Sequence, residues 1–113
     1  MKRLTLVFRE VDRDKYQMLV DGRKTVETRA ATVKYRGLEA GDEIIAKCGP
    51  DKHVSTIVKS RHFTTVDELF KAYDYRQILP SAKNLQEAKD MYSAFPGYKV
   101  KIAKFGIMAF EIA

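Results

Sequence analysis

Apolar residues recur along this chain with two periods, and the switches between them mark its elements. Leu4, Leu6 and Phe8 alternate with other residues over 2–8, which predicts a strand with one buried face. Asp12 then stands at an N-cap position, and Tyr16, Leu19 and Val20 follow at helical spacing. Gly22 comes just past the last of them, so a helix is predicted over 13–21, with Asp14, Lys15 and Asp21 turned to solvent. Residues 22–29 carry the β-formers Thr25, Val26 and Thr28 and read as a second strand. No element is assigned to 30–37. Gly41-Asp42 turns the chain into a third strand over 43–47, and Gly49-Pro50-Asp51 turns it again. The fourth strand, over 53–63, sets Val54, Thr56 and Val58 opposite Ser55 and Ile57 and is long enough to bend around a small barrel.

The second half is punctuated differently. Thr65 and Glu68 form a capping-box pattern, which starts a helix burying Leu69, Phe70 and Tyr73. Ile78-Leu79-Pro80 breaks the chain. Asn84 and Glu87 repeat the pattern and start a helix to 93–95, with Leu85, Ala88, Met91, Tyr92 and Phe95 on its apolar face. Pro96-Gly97 ends it. Over 98–102 lysines alternate with apolar residues, which predicts an extended segment. A last strand over 105–112 is apolar on both faces and so belongs inside a sheet. Five or more strands with three short helices, lacking strict βαβ alternation, predict an α+β fold: a small mixed β-barrel with short flanking helices. A chain of 113 residues, 45% hydrophobic and 32% charged, is sized for a single domain over 1–113.

Charge narrows the partner. The formal net charge is +6, which favours an anionic ligand, nucleic acid above all. Arg23, Lys24, Arg29, Lys34 and Arg36 lie within fourteen residues, and Lys99, Lys101 and Lys104 form a second basic run. The lone Cys48 allows no internal disulfide and fits a reducing cytoplasm. No apolar run approaches the roughly 20 residues that cross a bilayer, so no membrane partner is expected. His53, His62 and Cys48 lack zinc-ligand spacing. His62 is a candidate general acid or base without a paired second group. The six glycines form no dinucleotide or phosphate loop. No metal and no cofactor are called for.

The chemistry concentrates in Gly22-Arg23-Lys24-Thr25-Val26-Glu27-Thr28-Arg29. On a strand, Glu27 and Arg29 share a face and pair, while Lys24, Val26 and Thr28 take the other. Such a run is either a solvated edge strand whose charges discourage edge pairing, or a site. As a site, Arg29 grips a phosphate or carbonyl in fork geometry, and Lys24 adds a point charge. Glu27 orients Arg29 or accepts from a base amino group. Tyr35 and Tyr98, in basic segments, are candidates for stacking on bases, whereas Tyr92 belongs to a helix core face. Lys99 is either on a solvated face or on a phosphate track.

The pattern Gly-x-Lys-x-x-Glu-x-Arg, matched at Gly22, Lys24, Glu27 and Arg29 and followed by Gly41-Asp42, resembles the signature of the ASCH domain family in the PUA-like superfamily of small β-barrels. The resemblance extends to Thr65–Leu69, to Met91–Gly97 and to the closing segment Phe105–Ile112. It implies a PUA-like barrel and RNA binding; some members are reported as ribonucleases. A bacterial branch hydrolyses N4-acetylcytidine with a lysine, a threonine three residues later and a distant glutamate. Here Lys24 matches, Glu27 stands where that threonine would, and the distant glutamate has no counterpart.

The expected function is binding of RNA, or of a nucleotide-like ligand, in a basic cleft. The second strand and its following loop form the floor, where Lys24 and Arg29 hold phosphate or carbonyl oxygens and Glu27 orients or reads; Lys34 and Arg36 add a rim, and Arg23, Tyr35, Tyr98 and Lys99 are further candidate contacts. A small hydrolase in the same cleft, with Lys24 and Glu27 as its catalytic residues, is the alternative. A regulatory protein-interaction domain is the third reading.

Overall fold

The computed structural model describes residues 1–113. Its elements are β1 (Arg3–Phe8), α1 (Arg13–Val20), β2 (Val26–Ala30), α2 (Val33–Arg36), β3 (Glu43–Cys48), β4 (Asp51–Phe63), α3 (Val66–Ala72), α4 (Tyr75–Ile78), α5 (Leu85–Ala94), α6 (Tyr98–Phe105) and β5 (Ile107–Ile112), with a 3-10 turn at Glu10–Asp12. The strands form one sheet in the order β1-β3-β4-β5-β2. β1 runs parallel to β3, and the other neighbours are antiparallel. β1 and β2 do not pair, so the small mixed barrel expected from the sequence is present as a half-barrel. The long β4 pairs β3 through its first half and β5 through its second, with an irregularity between Ile57 and Lys59 where it changes partner.

Two clusters fill the two faces of the curl. Leu4, Leu6, Ile44, Ile57, Met108 and Phe110 pack on the concave side. Val26, Ala30, Ile107 and Ala109 meet Leu69, Ile78, Ala88, Tyr92 and Ile102 of the helices on the convex side. β5 is therefore covered on both faces along its apolar run Ile107–Phe110. α1 lays Tyr16 and Leu19 against Ala46 and Cys48.

Several local expectations are corrected. β2 begins at Val26, because the backbone N–H groups of Arg23 and Lys24 both donate to the Met18 carbonyl and wrap the chain over the end of α1. Asp12 does not cap α1 with its side chain; the carboxylate pairs with Arg9 and Lys15 instead. Residues 33–36 form the short helix α2, and 75–78 form α4, capped by Asp74. Leu85 is exposed, off the buried face of α5. The segment 98–102 is not extended: Gly97, at φ 75°, turns the chain into α6. Tyr98 and Ile102, one helical turn apart, then both face inward, and Val100 is left 73% exposed.

Candidate functional site

A cavity of about 470 Å³ opens in the gap between the two edge strands. The end of β1 and the start of α1 border it on one side, β2 on the other, and the α5–α6 corner lies across it. Its volume suits a small molecule or one unit of a polymer. Lys24, Glu27, Thr28, Arg29, Tyr92 and Tyr98 supply polar groups on the β2 and α5–α6 side, and Arg9, Asp12 and Lys15 on the β1–α1 side; Met18, Leu79, Met91 and Phe95 supply apolar surface.

Glu27 is the centre of the polar wall. Antiparallel pairing sets Glu27 opposite Phe110 and Arg29 opposite Met108, so both point to the concave side. Lys24 lies before the strand, free of its alternation, and its ammonium reaches the same carboxylate. Glu27 Oε1 is 3.5 Å from Lys24 Nζ and 3.8 Å from Arg29 Nε, and it accepts the Thr28 N–H at 3.0 Å. The Glu27 side chain is 4% exposed, that of Lys24 17% and that of Arg29 28%. At 3.8 Å the Arg29 contact is an ion pair and not a hydrogen bond. Arg29 Nε is thus a buried donor without a partner, and such groups are rare outside binding and catalytic sites.

The neighbouring groups hold this arrangement. Thr28, on the opposite face of β2, hydrogen-bonds through its hydroxyl to that of Tyr92. Edge-to-face contacts run from Phe70 to Tyr92 (5.9 Å), Tyr92 to Phe95 (5.5 Å) and Phe95 to Tyr98 (5.5 Å), an arrangement that fixes aromatic rings in place. Burial pushes the Tyr92 hydroxyl pKa up strongly, against the pull of its Thr28 hydrogen bond, so Tyr92 stays protonated. Burial also raises Tyr98, while the adjacent Arg29 pulls it down and only partly compensates. For Arg29, burial opposes the charge, but Glu27, Tyr98 and Tyr35 outweigh it and its pKa ends above the ordinary value.

Of the residues expected at the site, Lys24, Glu27, Arg29 and Tyr98 come together. Tyr35 packs under the concave cluster and faces Arg29 without lining the cavity. The others lie elsewhere. Arg23 is exposed and pairs with Asp21. Lys34 and Arg36 project from α2 into solvent, the Lys34 ammonium over the Tyr35 ring. Lys99 sits on the exposed side of α6, on a second cavity of about 300 Å³ with Lys89, Thr65 and Ser93. His62 is exposed and bonds the Phe105 carbonyl. Sequence reasoning leaves out Thr28 and treats Tyr92 as core alone. Met91 and Phe95, at i and i+4 with Tyr92 between them, are the one local signal that this helix face borders something besides core. No group of three or more His, Cys, Asp or Glu side chains is arranged to hold a metal ion, and no helix is long and apolar enough to cross a membrane.

No protein-family model matches the chain, and no curated protein does. Two solved structures are similar over almost its whole length. The crystal structure of the hypothetical protein PH0355 superposes with a TM-score of 0.80 at 25% identity, covering 99% of this chain and 97% of that one. The solution NMR structure of PF0455 from Pyrococcus furiosus gives a TM-score of 0.74 at 23% identity, covering 97% and 94%. The half-barrel with its short helices is therefore a fold found in other proteins, and neither name carries an activity.

Proposed function

We propose that this chain is an ASCH-like domain of the PUA-like superfamily that binds RNA, or a nucleotide-sized ligand, in the cavity beside Lys24, Glu27 and Arg29. The family reading is supported by the motif residues, with Glu27 and Arg29 on β2 and Gly22, Lys24 and Gly41-Asp42 in the segments leading into β2 and β3 of a curled, mixed five-stranded sheet. The binding reading is carried by one observation: the cavity gathers the four cations Arg9, Lys15, Lys24 and Arg29, against the two carboxylates Asp12 and Glu27, and the rings of Tyr92, Phe95 and Tyr98 around a single opening. Arg29 and Lys24 suit phosphate or carbonyl oxygens. An aromatic face suits a base, worth about 1–3 kcal/mol when one stacks. Arg23, Lys34, Arg36 and Lys99 stand outside and act through the general field of a +6 molecule.

Titration of a fluorescent single-stranded RNA at rising salt tests this reading. Log K is expected to fall with log salt by about 0.7 for each phosphate contacted. Lys24→Ala weakens binding, and Lys99→Ala leaves it nearly unchanged. Absence of binding at low salt, or equal loss from the two variants, overturns the reading.

A hydrolase in the same cavity is a second reading, favoured by the Lys24 ammonium and the Glu27 carboxylate lying 3.5 Å apart on its wall. A carboxylate beside an ammonium can serve as general base toward a water or a ribose hydroxyl. RNA cleavage, or hydrolysis of a nucleoside amide, that disappears in Lys24→Ala would establish it.

A further inference from the structure

Glu27 uses one of its two carboxylate oxygens in a hydrogen bond within the protein. Oε1 accepts the Thr28 N–H and makes the shortest contacts to Lys24 and Arg29. Oε2 accepts no hydrogen bond from the protein. It is not sealed in either: Arg29 Nε is the one buried side-chain nitrogen or oxygen without a partner, so Oε2 keeps its surface on the cavity that Glu27 lines. An ionised carboxylate oxygen is an acceptor only. Open in a cavity that is largely apolar, it favours a ligand that brings a donor. Phosphate at its higher ionisation brings negative charge and no donor, so it answers the cations of the lining but leaves Oε2 without a partner. Donors stand beside this acceptor. The Lys24 ammonium has protons that Glu27 does not use, and Arg29 Nε has nothing to donate to.

We propose, building on the nucleotide-binding reading above, that the cavity takes the base and not the phosphate. An N–H on the edge of the heterocycle donates to Glu27 Oε2, and the carbonyl or ring nitrogen beside it accepts from Lys24 or Arg29. The ligand class is an uncharged amide, lactam or amidine edge, with sugar and phosphate left toward the mouth. Glu27 is the residue that selects for it. The phosphate-first arrangement, with Arg29 gripping the anion, is the competing orientation.

Calorimetric titration of the wild-type protein with the four common ribonucleosides, their 5′-monophosphates and ribose 5-phosphate separates the two. The best-bound nucleoside is expected to match its monophosphate within about threefold, and ribose 5-phosphate to fail as a competitor. Glu27→Gln supplies a second readout. Its amide oxygen is claimed by the Thr28 N–H, Lys24 and Arg29, which turns the amide N–H₂ into the cavity as a donor facing a donor. Nucleoside affinity should fall by roughly 10- to 100-fold, the range of one lost base contact, with ribose 5-phosphate still failing to compete. Ribose 5-phosphate binding as well as the nucleotide while nucleosides do not bind would overturn the base-first orientation and leave the nucleotide reading standing. Unchanged nucleoside affinity in Glu27→Gln would also overturn it. If nucleosides, nucleotides and RNA all fail to bind, the nucleotide reading itself fails and this inference with it.

Discussion

Glu27 is a structural element as well as a candidate ligand contact, since its carboxylate separates two cations within one cavity wall. Removing it leaves Lys24 and Arg29 facing each other in a poorly solvated place. Loss of one partner from a buried ionic group costs about 3–5 kcal/mol, and Glu27→Ala is expected near the lower end, measured as a shift in urea unfolding. Lys24→Ala should cost far less, because Arg29 still answers the carboxylate. Asp42 provides a second test at this scale. It is buried at the turn into β3 and accepts the N–H groups of Lys2 at 2.8 Å and Glu39 at 2.9 Å. Those hydrogen bonds hold its pKa below the ordinary 3.8. A lowered folded-state pKa means the stabilisation is complete above the unfolded value and is lost as pH falls through the folded one. Asp42→Asn should therefore lower stability at neutral pH and flatten the fall below about pH 4. Thermal unfolding midpoints across that range measure it. Lys24, Glu27 and Arg29 were legible as a group because three charges crowd a β-forming run. Tyr92 was not, because its hydroxyl meets Thr28 only through tertiary packing, which spacing along α5 does not encode.

At the scale of elements, the strands were legible wherever one face is buried and the other wet. β1 and β3 alternate in burial as their sequences do. α6 was not legible. Lys99, Val100, Lys101 and Ile102 alternate like a strand, but the Gly97 turn and the inward pair Tyr98 and Ile102 make that segment helical, and tertiary packing overrides the local pattern. The basic rim was misplaced for a related reason. Charge density along the chain says nothing of direction, and Lys34, Arg36 and Lys99 sit on helices that turn them away from the cavity. Gly106 joins α6 to β5 at φ 82°, where an added Cβ would lie 2.5 Å from the Phe63 carbonyl oxygen and 2.6 Å from His62 Nε2. Its own carbonyl accepts the Ala31 N–H at 2.9 Å, beside the end of β2. Gly106→Ala combines a left-handed backbone with a backbone clash and should cost about 2 kcal/mol or more. A calorimetric Tm lowered by roughly 8 °C or more is the corresponding observation.

For the whole molecule, the mixed barrel expected from the sequence stops at a half-barrel because β1 pairs β3 alone and β2 pairs β5 alone. The gap between these edges is the cavity. Pairing them to each other would remove it, so the unfinished sheet and the candidate site are one feature. The same topology sets an order of assembly. β1 can find β3 once the chain has passed Cys48, but β2, which carries Glu27 and Arg29, pairs only with the last strand. During synthesis the residues of the site therefore emerge early and wait, without a sheet partner, until β5 has left the ribosome. A chain interrupted before Ile107 would contain every ligand-facing residue proposed here and would hold none of them in place.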